Sequence, residues 1–178
     1  GGNDAAVFAG DVTGDVTVPD GVALQIDPGT VIKFDSDRRL VGLGSLDVNG
    51  TAASPVVFTS VSDDTVGEDL TPESTTGSAG AWKALFAQSG DWDVDHAEIR
   101  FGGNGQGSLF ISESLDPTSG GSHSTFANVA VVDSADYGVE IQPGSPTLPA
   151  VDVINSADAA ISQGPAAEPD YRSVSASG

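Results

Sequence analysis

Two segments in the last third of the chain match each other at a fixed offset, and that match limits the fold more than any other feature. VAVVDSADYGVEI begins at Val129, and VDVINSADAAIS begins at Val151, twenty-two residues later. Val129 matches Val151, Val131 matches Val153, and Ser134-Ala135-Asp136 matches Ser156-Ala157-Asp158. Val132 with Ile154, Asp133 with Asn155, and Val139 with Ile161 are chemically similar pairs. An offset of thirty-two carries the register back, placing Ala97, Ile99 and Leu109 under Val129, Val131 and Ile141. A period of this size describes stacked units, none of which can bury its own apolar face alone.

Each unit is built of short strands. Val16 and Val18, then Val22, Leu24 and Ile26, then Ile32 and Phe34, alternate with polar residues such as Gln25 and Lys33. Such alternation marks half-buried strands. Pro19-Asp20-Gly21, Asp27-Pro28-Gly29 and Asn49-Gly50 punctuate them, with proline presetting φ and glycine supplying positive φ. Leu46 with Val48, and Val56 with Phe58, continue the pattern. Further on, Trp82, Leu85 and Phe86 return to the core, and Ala97, Ile99 and Phe101 form another strand. The fold that satisfies both repeat and alternation is an all-β parallel solenoid whose coils stack at about 4.8 Å. An antiparallel sandwich also explains the alternation, but gives no reason for a twenty-two-residue self-match.

Allowing for two polar insertions, residues 61–80 and 112–124, the chain holds roughly six or seven coils of about 22 residues. The first insertion exceeds an ordinary connection and reads as functional or mobile. The expected domain spans 1–164, with 1–15 an N-terminal cap. Pro165, Pro169 and the Ser-rich end make 165–178 a departing tail or a cap over the last coil. Without such cover, a solenoid end exposes apolar columns and unpaired strand edges.

GVALQIDPGTVIKF followed by LGSLDVNGTAASPVVFTSVSDD resembles the opening coils of right-handed parallel β-helix domains, pectin-lyase-like in fold, of bacterial and archaeal secreted or surface proteins. The pattern there is a valine strand, a leucine-x-isoleucine-x-Pro-Gly turn, G-x-L-x-x-x-Gly-Thr, then P-I-x-F-T-S. It is matched over Val16 to Asp64 and more loosely from Trp82 to Ser162, with Val56 where the pattern has isoleucine. The resemblance implies a right-handed coil and an extracellular or cell-surface location, and it permits activity on polysaccharide. Asp63, Asp64, Glu68, Asp69 and Trp82 resemble the family's acidic loop and following tryptophan strand. The richer aspartate–asparagine ladder of some members is here LTPESTTG.

Asp plus Glu number 26 against 6 Lys plus Arg, a formal charge of −20. This repels nucleic acid and anionic membranes and disfavours polyanionic sugars unless calcium bridges the charges. No cysteine is present, so no disulfide staples the fold. No methionine is present either, even at position 1, which reads as a processed or excised piece. No apolar run approaches the roughly 18–20 residues of a membrane span.

Asp63, Asp64, Glu68 and Asp69 are the candidate metal site. Calcium takes six to eight hard oxygen ligands, and four carboxylates on one glycine-containing loop supply several; a plain solvated acidic loop is the rival reading. DDTVGED lacks the EF-hand spacing. Asp91, Asp93 and Asp95 alternate with Trp92 and Val94, giving a row of carboxylates for a cation or for acid–base work on a sugar, or simply the wet side of a strand. Since Ala97 and Ile99 are inward and odd-numbered, a bulge near Asp95 must switch faces. His96 and His123 lie far apart and near no nucleophile. A lyase base is limited to Arg100 and Lys83 at mid-chain. Trp92, Tyr137 and Tyr171 are candidates for stacking on sugar rings. The expected role is a non-catalytic structural or binding module, with a glycan or surface protein as partner. A polysaccharide-active enzyme and an end-to-end self-assembling fibre or coat subunit are the alternatives.

Overall fold

The computed structural model describes residues 14–70, 76–113 and 123–178; the expected N-terminal cap therefore lies almost wholly outside the described residues. Every regular element among them is a strand, and no helix is long and apolar enough to cross a membrane. Strands β1 (Val16–Val18), β2 (Ala23–Ile26) and β3 (Val31–Phe34) are repeated in order by β4 (Leu40–Gly42), β5 (Ser45–Asn49) and β6 (Val56–Ser60). The second set lies on the first in parallel: β1 on β4, β2 on β5, β3 on β6. β7 (Leu85–Ala87) continues the β1–β4 line, and the long strand β8 (Trp92–Arg100) continues both β5 and β6. β9 (Leu109–Ile111) and β10 (Thr125–Ser134) follow the same plan. So do β11 (Val139–Ile141), β12 (Thr147–Leu148) and β13 (Val151–Ser156). The described chain ends with β14 (Ile161–Gln163), β15 (Asp170–Tyr171) and β16 (Val174–Ser177). One sheet runs β1-β4-β7-β9-β11-β14, and a ten-stranded sheet takes the rest. Parallel pairing between successive equivalents is the arrangement of a parallel β-solenoid.

What makes this stack is the vertical alignment of inward side chains. Val56, Ala97, Val129 and Val151 form one column, and Phe58, Ile99, Val131 and Val153 another. None of the eight is more than 3% exposed. Each fully buried aliphatic side chain contributes about 1.5–3 kcal/mol, but only while a neighbour lies above and below. The repeat-derived pairs occur as expected: Val129 on Val151, Val131 on Val153 and Ser134 on Ser156. The thirty-two-residue offset holds for Ala97 and Ile99 under Val129 and Val131. It fails in the next strand, where Leu109 lies against Val139 and Ile111 against Ile141. From Arg100 to Leu109 the chain advances two residues more than from its partner Val132 to Val139, so the offset drops to thirty.

The bend expected near Asp95 is present. Trp92 and Val94 are buried before it, Ala97 and Ile99 after it, and His96 between them has φ 51°. Asn128 does the same in β10, at φ 54° between Phe126 and Val129. A second corner puts Phe101, Asp133 and Asn155 at φ 55–60°. Asparagine and aspartate tolerate this left-handed region better than most residues.

One further expectation changes. Phe86 does not enter the core: it lies between inward Leu85 and Ala87 and faces outward, stacked on Phe110 with ring centroids 4.7 Å apart. Arg39 sits 5.4 Å from the Phe86 ring centroid. Residues 165–178, read as a tail or cap, include β15 and β16, which pair in register with β12 and β13.

Trp92 sets a tight packing constraint in the core. A Cβ placed on Gly42 would lie 2.2 Å from its indole. Gly42→Ala is therefore expected to lower unfolding free energy by about 1–3 kcal/mol, the cost of overpacking, measured as a reduced urea midpoint.

Candidate functional site

Residues 61–70 of the first insertion fold back over the outward face of β3, β6 and β8. Alternation points Lys33 away from the core, yet it is 4% exposed, because the loop covers it. Its Nζ donates to the carbonyl oxygens of Asp63 and Glu68, both at 2.6 Å. Gly67, at φ +66°, comes so close to β3 that an added Cβ would be 3.0 Å from Val31. Asp63 also forms an antiparallel bridge with Thr76. Trp82 then returns the chain to the core, stacked on Phe34 at 4.4 Å with its Nε1 donating to the Arg100 carbonyl.

Asp63 is fully buried at the centre of this docked loop. Its carboxylate accepts from the Thr59 hydroxyl at 2.8 Å, from the Thr65 hydroxyl at 2.5 Å and from the Thr65 amide at 3.1 Å. The Arg100 guanidinium lies 3.6 Å away and also pairs with Glu98 at 3.0 Å. Burial alone would push the Asp63 carboxyl up, but the Thr65 and Thr59 hydrogen bonds and Arg100 outweigh it and hold it below its ordinary value.

The four carboxylates of the candidate metal site thus have different surroundings. Asp63 is turned inward to threonine hydroxyls, Glu68 offers its backbone carbonyl to Lys33, and the side chains of Glu68 and Asp69 are exposed. Among the described residues, no group of three or more His, Asp or Glu side chains is arranged to hold a metal ion. The cations that this loop wraps are the Lys33 ammonium and the Arg100 guanidinium.

The other candidates are dispersed. Asp93 is exposed on β8, beside Asp47 of β5. Asp95 Oδ1 lies 2.7 Å from His96 Nδ1 and accepts from Asn128 at 2.8 Å. Asp91 accepts from the His123 amide at 3.0 Å. The two histidines therefore take separate partners. Trp92 is 1% exposed, so it packs the core and is closed to a sugar ring; Tyr171 is 41% exposed and Tyr137 half-buried. Lys83 is half-buried.

Sequence reasoning missed Glu113. It is 1% exposed, and its carboxylate accepts from the Ser124 amide at 3.1 Å and the Ser145 amide at 3.3 Å, tying both ends of the second insertion to the next strand set. Burial pushes its carboxyl up, against the opposing pull of the Ser124 and Ser145 hydrogen bonds and His123. A signal existed: Leu109, Ile111 and Glu113 share inward parity.

Lys33→Met is expected to cost about 1.5–3 kcal/mol, the range for hydrogen bonds to charged groups, and to open residues 61–80 to limited proteolysis. Asp63→Asn should destabilise by about 1–3 kcal/mol at pH 7. Because the folded carboxyl titrates below its ordinary value of 3.8, its contribution is present above that pH and is lost as pH falls through the folded value. The gap between wild type and variant in urea titrations should therefore narrow in acid. No family model matches the chain, nor does any curated protein or solved structure.

Proposed function

We propose that the chain is a non-catalytic structural or binding module of an extracellular or cell-surface protein. We propose further that it is a right-handed parallel β-helix of the pectin-lyase-like kind, with roughly six or seven coils. The observation that carries the non-catalytic reading is the use made of the buried ionisable groups. Lys33, Asp63 and Glu113 are each occupied in fastening a loop to the sheet. A reacting group must reach substrate, and these face backbone and threonine. The formal charge of −20 supports a solvated, saline or extracellular setting. A glycan or surface protein would lie along the flat outward face of β5, β8 and β10. Calcium, if bound, would use Asp63, Asp64, Glu68 and Asp69.

One observation favours a second reading, a polysaccharide-active enzyme. Asp47 and Asp93 are exposed neighbours on adjacent parallel strands, a strand spacing of about 4.8 Å. Their side chains stand side by side on one outward face, as a carboxylate pair at the separation of about 5–5.5 Å used by retaining glycosidases would require.

Incubation with a panel of neutral and acidic polysaccharides decides between them. The module reading expects no new reducing ends and no unsaturated product. Turnover that Asp93→Asn abolishes would establish the enzyme instead. Calcium is tested by melting: a saturable rise, reversed by chelator, supports the loop site, with about 2.7 kcal/mol expected at a hundredfold excess over Kd. An unchanged melting temperature removes calcium from the proposal.

A further inference from the structure

The sequence contains two Asn-Gly steps, Asn49-Gly50 and Asn104-Gly105, and the fold treats them oppositely. Asn-Gly is prone to a self-contained reaction, because a glycine nitrogen with no Cβ beside it can approach the preceding carboxamide carbon. Asn49 ends β5, and its Nδ2 is buried. The Gly50 amide donates to the Asp95 carbonyl at 3.0 Å, and a Cβ on Gly50 would lie 2.0 Å from the His96 carbonyl oxygen. To react, Gly50 would have to leave that bond and pull away from β8.

Asn104-Gly105 lies on the turn between β8 and β9, outside any strand, and both residues are exposed. No atom comes within 4 Å of where a Gly105 Cβ would stand, and Gly105 has φ +78°. Its amide donates to the Gly103 carbonyl at 3.0 Å, a bond internal to the turn that opens without disturbing either sheet. The Asn104 carboxamide donates from Nδ2 to Asp37 Oδ1 at 2.8 Å, an exposed contact that water can replace.

We propose that Asn104 is a site of spontaneous deamidation. The Gly105 nitrogen bonds to the Asn104 Cγ, the Cγ–Nδ2 bond breaks, and the proton lost by Gly105 departs with that nitrogen as ammonia. Water then opens the succinimide at either carbonyl, giving aspartate or isoaspartate. No enzyme, metal or oxidant takes part. The product adds one carboxylate to a chain of formal charge −20 and sets it against Asp37, which loses its donor and gains a like charge. This parts the turns that lead into β4 and β9, which the Asn104–Asp37 contact joins across the turn that leads into β7. The reaction depends on neither functional reading, since it uses no atom of Lys33, Asp63, Asp47 or Asp93.

The test is prolonged warm incubation of the folded full chain at neutral and mildly alkaline pH, followed by peptide mapping. The peptide carrying Asn104 is expected to show the mass gain of an NH2-to-OH exchange, with isoaspartate detected by enzymatic methylation. The gain should come faster as pH rises, because hydroxide removes the Gly105 amide proton. The peptide carrying Asn49 should change at least several-fold more slowly. In guanidinium chloride the two rates should converge, since both are then free Asn-Gly steps. Asn104→Gln should abolish the gain. Asn104→Asp, standing for the product, should lower the urea midpoint, and Asp37→Asn added to it should recover the loss by donating in the opposite sense. An Asn104 peptide that keeps its mass in the folded protein while reacting in guanidinium overturns the proposal. Equal rates at Asn49 and Asn104 in the folded protein also overturn it. An Asn104→Asp midpoint equal to that of wild type overturns the parting of the turns.

Discussion

Burial in this molecule is borrowed from neighbours along one axis. A strand of three or four residues has no core of its own; Leu85 or Val131 is dry because a like side chain sits one strand spacing away on each side. The hydrogen-bond ladder and the apolar columns impose the same spacing, so they reinforce each other. Consequently the core has no centre, only a line. Interior positions are equivalent, and the two ends differ from them in kind. That single constraint explains why corners, rather than strands, absorb irregularity.

Polar loops attach to this line by burying charge rather than apolar surface. Lys33, Asp63 and Arg100 show how. A cation rooted in the sheet is satisfied by loop carbonyls, while a carboxylate rooted in the loop is satisfied by threonine hydroxyls and the guanidinium. Removing one partner of such a set strands the others away from water, which costs more than the contact itself contributes. Glu113 does the same at the second insertion with two backbone amides. The acidic composition thus has two uses: most carboxylates meet solvent, and a few fasten loops.

Much of the architecture was legible because period and parity are set by geometry. The pairing of Val129 with Val151 and the switch of faces at His96 both follow from counting. What escaped was whatever depends on approach from outside a coil. Lys33 reads as solvated from alternation, since nothing local says that a loop thirty residues on will cover it. Phe86 reads as core from its type, although its parity beside Leu85 says outward. Trp92 was a candidate sugar platform by type and a core residue by parity, and parity was the better guide. The acidic run Asp63–Asp69 was visible, but the inward turn of Asp63 was not, because it depends on Thr59 and Arg100 on two other strands.

The unequal connections after β8 and β10 carry a wider meaning. Two extra residues are taken up between Arg100 and Leu109, yet Leu109 and Ile111 still find Val139 and Ile141. Height along the axis is quantised, whereas contour length around the perimeter is not. Divergence can therefore accumulate at the perimeter as insertions and deletions while every layer keeps its partner. Two such chains could share a scaffold and retain no alignable spacing between their matching strands.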